Sequence, residues 1–132
     1  MCKPDRERGE YAFMKFHKEV VTMPTFIELI KKGHAFCHIF KNNEHKKEAF
    51  LYTYFVCVDV DNVDITMSDF IANTNCKPSI AYTTFNNKLK GFRYRLVYIF
   101  DEPINFAQFP IIYKSICQKA GLLNNEDNCG RV

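Results

Sequence analysis

The chain has no tryptophan, no Cys-x-x-Cys pair, no His-x-His pair and no apolar run long enough to cross a bilayer. The first absence excludes little, because 13 Phe and 7 Tyr remain to fill a core. Six cysteines could make a disulfide framework in a small secreted domain, but here they are scattered at Cys2, Cys37, Cys57, Cys76, Cys117 and Cys129. Several lie inside apolar patterns, where a reduced cysteine behaves as a small hydrophobe. His34, Cys37 and His38 cluster without a second ligand pair at zinc spacing, so they read as buried thiol and surface histidines. The amino terminus, MCKPDRERGEY, is charged and lacks the apolar stretch of a signal peptide. That points to cytoplasmic residence, with no membrane partner. Net charge is only +3, so any nucleic-acid affinity must come from a local patch and not from a global field.

What is present fits one domain over residues 1–132, long enough to bury a core. YAFMKFHKEVV (11–21) alternates in part and reads as a strand. TFIELIKKG (25–33) reads as a short helix, with Thr25 and Glu28 as a capping box and Gly33 as its stop. HAFCHIF (34–40) reads as a strand, and KNNEHKKE (41–48) as a polar, basic loop. The strongest strand runs from about Leu51 to Asp61. A short helix follows over 65–75, opened by Thr66 or Ser68 and ended by Pro78. SIAYTTF (79–85) and FRYRLVYIF (92–100) are two further strands, joined by the turn-rich NNKLKG. A helix over about 105–120 has Pro110 near its start and closes at Gly121. This order describes an α+β fold: a mainly antiparallel sheet with helices packed on it, of split β-α-β or RNA-recognition-motif-like type. The abrupt polar end reads as a C-terminal truncation of a longer protein.

One stretch carries the chemistry. FVCVDVDN (55–62) is built to lie in a sheet, yet ends in two carboxylates one residue apart. Strand alternation puts Phe55, Cys57, Asp59 and Asp61 on one face and Val56, Val58 and Val60 on the other. Two carboxylates side by side repel unless a cation, a basic neighbour or water relieves them. Hard divalent cations prefer such oxygen ligands, although an Asp-x-Asp at a strand end can equally do no more than cap the next helix. Downstream, Arg93 and Arg95 share one strand face at a spacing suited to gripping phosphates, or to keeping an exposed face soluble. Thr83, Thr84, Asn86 and Asn87 sit at a strand-to-turn junction, where hydroxyls and amides can meet phosphate or sugar.

Taken together, FVCVDVDN, PSIAYTTFNN…GFRYRLVYIFDEPI and NNEDNCGRV resemble the catalytic core of archaeo-eukaryotic-type primases. Within that family the likeness is greatest to the primase-polymerases of phages, plasmids and other mobile elements. The resemblance implies a nucleotidyltransferase that makes primers from nucleoside triphosphates on a single-stranded DNA template, using two Mg2+ or Mn2+ ions. It implies Asp59, Asp61 and Asp127 as catalytic, metal-binding carboxylates, and Asn87, Arg93 and Arg95 as nucleotide-binding residues. It also implies association with a helicase domain or subunit. Where the family carries a histidine in its second motif, this chain has Asn87, which offers a neutral hydrogen bond in place of a charged one. Weaker stabilisation of the transition state follows.

The alternative expectation is a non-catalytic module of a replication protein that grips single strands through Arg93, Arg95, Lys46, Lys47 and exposed aromatics. A rolling-circle initiator nuclease would need a His-x-His pair, which the chain lacks.

Overall fold

The computed structural model describes residues 17–44, 46–84 and 91–122. They fall into two compact units, one ending at Tyr52 and the other beginning at Thr53.

In the first unit, helix α1 spans Met23–Lys31. It starts three residues earlier than the Thr25 capping box predicts, because Thr22 is the N-cap. The Thr22 hydroxyl accepts from the Thr25 backbone N–H, and Pro24 sits in the first turn, where its missing N–H costs nothing. The C-terminus closes as expected at Gly33, whose φ of 81° is left-handed backbone that favours glycine. Gly33 N–H donates to Ile30 O (2.9 Å) and His34 N–H to Leu29 O (3.0 Å), which satisfies the last carbonyls.

The strand predicted over 34–40 shrinks to β1, Ile39–Phe40. It pairs antiparallel with the first residues of the long strand β2, Phe50–Val63, through Ile39–Tyr52 and Phe40–Phe50. The register slips between those two pairs, so the ladder does not extend back to His34. Phe40 and Phe50 are buried edge to face, with His38 edge-on to Phe50. Of the strand predicted over 11–21, residues 17–21 carry no regular element and 11–16 lie outside the described residues.

The second unit holds the rest of β2, helix α2 (Met67–Asn73), strands β3 (Ile80–Thr83) and β4 (Phe92–Ile104), and helix α3 (Phe109–Ala120). β4 pairs antiparallel with β2 on one side and with β3 on the other. β2 and β3 therefore run the same way with β4 inserted between them, the arrangement of a split β-α-β unit. The fold is α+β, and every strand pairing among the described residues is antiparallel. Over Thr53–Val63, the β2 stretch bearing the two carboxylates pairs with β4, and it is β4 that lies centrally in this unit.

Alternation sorts the sheet as the sequence requires. Val56, Val58, Val60, Tyr94, Leu96 and Tyr98 are buried on the face that bears the helices. Each fully buried Val or Leu contributes about 1.5–3 kcal/mol of apolar burial. Phe70 of α2 lies 6.0 Å from the Tyr94 ring, and Tyr98 Oη donates to Cys76 O (3.0 Å) beyond the helix end. The Thr66 hydroxyl caps α2 by accepting from Asp69 N–H (3.1 Å). α3 is announced by a reciprocal pair, Asn105 N–H to Gln108 Oε1 (3.0 Å) and Gln108 N–H to Asn105 Oδ1 (2.9 Å), before Pro110 in its first turn. Gly121, with φ of 78°, ends it. β4 runs four residues further than predicted, through Asp101–Ile104. A bulge between the Phe55–Ile99 and Thr53–Ile104 pairs absorbs the extra residues, including Pro103.

Candidate active site on the open face of β2 and β4

The face opposite the helices carries the charge. Cys57, Asp59 and Asp61 come from β2, Arg93 and Arg95 from β4, and Tyr82 from β3. Register brings three of them into line: Arg95 stands opposite Asp59 on one side and opposite Tyr82 on the other. Alternation sorts the residues of each strand into two faces; the pairing decides who meets whom.

Arg95 binds Asp59 as a fork. Its Nε–H donates to Oδ1, and its Nη2 donates to Oδ2 at 3.1 Å. The remaining amine, Nη1, donates to Tyr82 Oη at 3.3 Å, and the guanidinium carbon lies 6.0 Å from the Tyr82 ring centre. One pair along, Arg93 Nε sits 3.5 Å from Asp61 Oδ1. Both carboxylates stay half open to water, at 53% for Asp59 and 54% for Asp61, while Arg95 and Arg93 are 36% and 23% exposed. The repulsion between the two aspartates is thus relieved by two guanidiniums of the same chain. Half-exposed pairs of this kind are each worth about 0.2–1 kcal/mol.

Burial opposes the Arg95 charge, but the Asp59 hydrogen bonds lead the effects that outweigh it, and its pKa is raised. Burial pushes the Cys57 thiol up to about 12, against the lowering pull of Arg95, so this thiol is protonated and unreactive near neutrality. Burial likewise raises Tyr82.

As donors, two carboxylates on one rigid strand fit a hard divalent cation. Both Asp59 oxygens accept from Arg95, so a cation there shares them with the guanidinium or displaces it. Among the described residues, no group of three or more His, Cys, Asp and Glu side chains gathers. The expected third carboxylate, Asp127, lies outside the described residues, as does Asn87.

The structure brings together Asp59, Asp61, Arg93 and Arg95. It does not align Thr83 with them: Thr83 pairs with Tyr94, on the helix-bearing face, while Thr84 N–H donates to Arg93 O (3.3 Å). Lys46, in the first unit, is ion-paired with Glu44, whose hydrogen bond raises its pKa. Sequence reasoning missed Tyr82. Its signal lay in the strand SIAYTTF, but which residue of β4 it would face depended on register. Among the described residues no helix is long and apolar enough to cross a membrane. The chain matches no family model, no curated protein and no solved structure.

Proposed function

We propose that this chain is the catalytic core of a primase-type nucleotidyltransferase, which joins nucleoside triphosphates into primers on single-stranded DNA. One observation carries the reading. The two carboxylates of the Asp-x-Asp and the two arginines of FRYR stand on one open face of adjacent strands, Asp59 paired with Arg95 in the ladder and Asp61 ion-paired with Arg93 where the ladder turns irregular. Anion-binding and cation-binding groups are therefore within a side chain's reach of each other, as a metal–triphosphate substrate demands. Mg2+ or Mn2+ at such carboxylates would supply charge stabilisation to the attacking and leaving oxygens. Asp59 and Asp61 would hold the ion from a rigid strand, while Arg93 and Arg95 would take phosphate oxygens through planar forks. Asp127 and Asn87 complete the proposed set. Cytoplasmic residence, a helicase partner and a home in a phage, plasmid or other mobile element belong to the same reading.

A second reading is favoured by the Arg95–Asp59 fork itself. Carboxylates already neutralised by arginines need no metal, and an open face with Arg93, Arg95 and Tyr82 suits a module that only grips single-stranded nucleic acid. Primer synthesis with template, nucleoside triphosphates and Mn2+, by a protein carrying this chain, separates the two. The first reading expects short products, abolished by Asp59→Ala with template binding largely retained. Carboxylate-held metal acts in the transition state, whereas arginine contacts set affinity. Template binding without product, indifferent to Asp59→Ala, selects the second.

A further inference from the structure

Each carboxylate of the proposed cation site already has a cation of the chain against it. Arg95 donates to both oxygens of Asp59, and Arg93 stands by Asp61. A divalent ion arriving alone meets carboxylates whose charge a neighbouring guanidinium already offsets, so it binds against that positive charge or draws the carboxylate away from it. A polyphosphate arriving alone meets the mirror problem, since the two carboxylates beside the guanidiniums repel it. When both arrive together, the carboxylates pass to the cation and the guanidiniums to the phosphate, and no charge is orphaned.

We propose that the Asp59–Arg95 and Asp61–Arg93 pairs form an exchange lock, through which divalent cation and polyphosphate bind as a coupled pair and the bare cation binds weakly. The inference rests on the carboxylates being the cation site proposed above. Coupling of this kind is reciprocal, so each ligand tightens the other by the same factor. Tyr82 serves as a positioning residue. Its hydroxyl holds Arg95 Nη1 at 3.3 Å, which keeps the guanidinium over the face after its fork leaves Asp59.

The probes are Mn2+ alone, inorganic triphosphate alone, and the two together, followed by paramagnetic broadening and chemical shifts in the isotope-labelled chain. Arg95→Gln should tighten binding of Mn2+ alone about fivefold or more and weaken triphosphate by a similar factor. Lys77→Gln makes the same charge change at a lysine that hydrogen-bonds the Ile71 carbonyl, and should do neither. If Mn2+ binds the unsubstituted chain as tightly as Arg95→Gln, the lock is wrong although the cation site stands. If Mn2+ reaches Asp59 and Asp61 in neither protein, with or without triphosphate, the cation site and the lock fall together. Should Arg95→Gln not fold, the Arg95 Nε–H resonance of the unsubstituted chain decides. It must move with Mg2+ and triphosphate together and stay put with equimolar Mg2+ alone; any other pattern overturns the lock.

Discussion

Asp59 and Arg95 stand directly opposite each other on β2 and β4, joined by two hydrogen bonds from one guanidinium. Asp61 and Arg93, the neighbouring pair, share a single 3.5 Å approach. The difference between fork and single contact ranks their contributions to stability. Asp59→Asn should cost about 1 kcal/mol in urea unfolding, because it leaves a partly buried guanidinium short of an acceptor. Asp61→Asn should cost less than about 0.5 kcal/mol. The reverse order would contradict the geometry.

Leu96 tests the core. It lies on central strand β4 and is completely buried. Leu96→Ala should lower unfolding free energy by about 2–5 kcal/mol. Ile111, 70% exposed on α3, provides the contrast, and Ile111→Ala should change stability by no more than about 0.5 kcal/mol. Denaturant midpoints measured side by side check both.

Alkali should destabilise the fold. Burial raises the Cys57 thiol to about 12 and raises Tyr82, Tyr94 and Tyr98 as well. Each of these groups is protonated in the folded chain at pH values where it has begun to ionise in the unfolded one. The unfolded state then binds fewer protons, so unfolding free energy falls as pH rises. Stability is complete below the ordinary thiol value of 9.0 and is lost progressively toward pH 12. Thermal unfolding between pH 8 and 11 should show this decline, and Cys57→Ala should flatten its first part.

Asn87→His tests the proposed second motif. A cationic donor beside the triphosphate should raise the rate of primer synthesis by about tenfold or more, as one charged hydrogen bond aimed at developing charge does elsewhere. Unchanged rates would remove Asn87 from the nucleotide-binding set while leaving Asp59 and Asp61 untouched.

Much of this was legible from two stretches. Strict alternation in FVCVDVD put Val56, Val58 and Val60 inward and Asp59 and Asp61 outward, and the burial pattern agrees. FRYRLVYIF did the same for Arg93 and Arg95. What alternation cannot express is register. It sorts each strand's residues into two sets, but only the ladder puts Asp59 and Tyr82 on either side of Arg95. Local signals misled where two competed. Thr25 and Glu28 match a capping box, yet Thr22 followed by Pro24 opens α1 earlier. HAFCHIF has strand composition, but the irregular register at Ile39–Phe40 gives its first five residues no ladder to join.

Inserting β4 between β2 and β3 also makes the two contacts of Arg95 unequal in chain entropy. Tyr82 and Arg95 are 13 residues apart in the chain, whereas Asp59 and Arg95 are 36 apart. Closing the longer loop costs about 0.9 kcal/mol more conformational entropy. The Tyr82–Arg95 contact is therefore the cheaper of the two to close, and the anion-gripping half of the face costs less chain entropy to form than the half that would hold a cation.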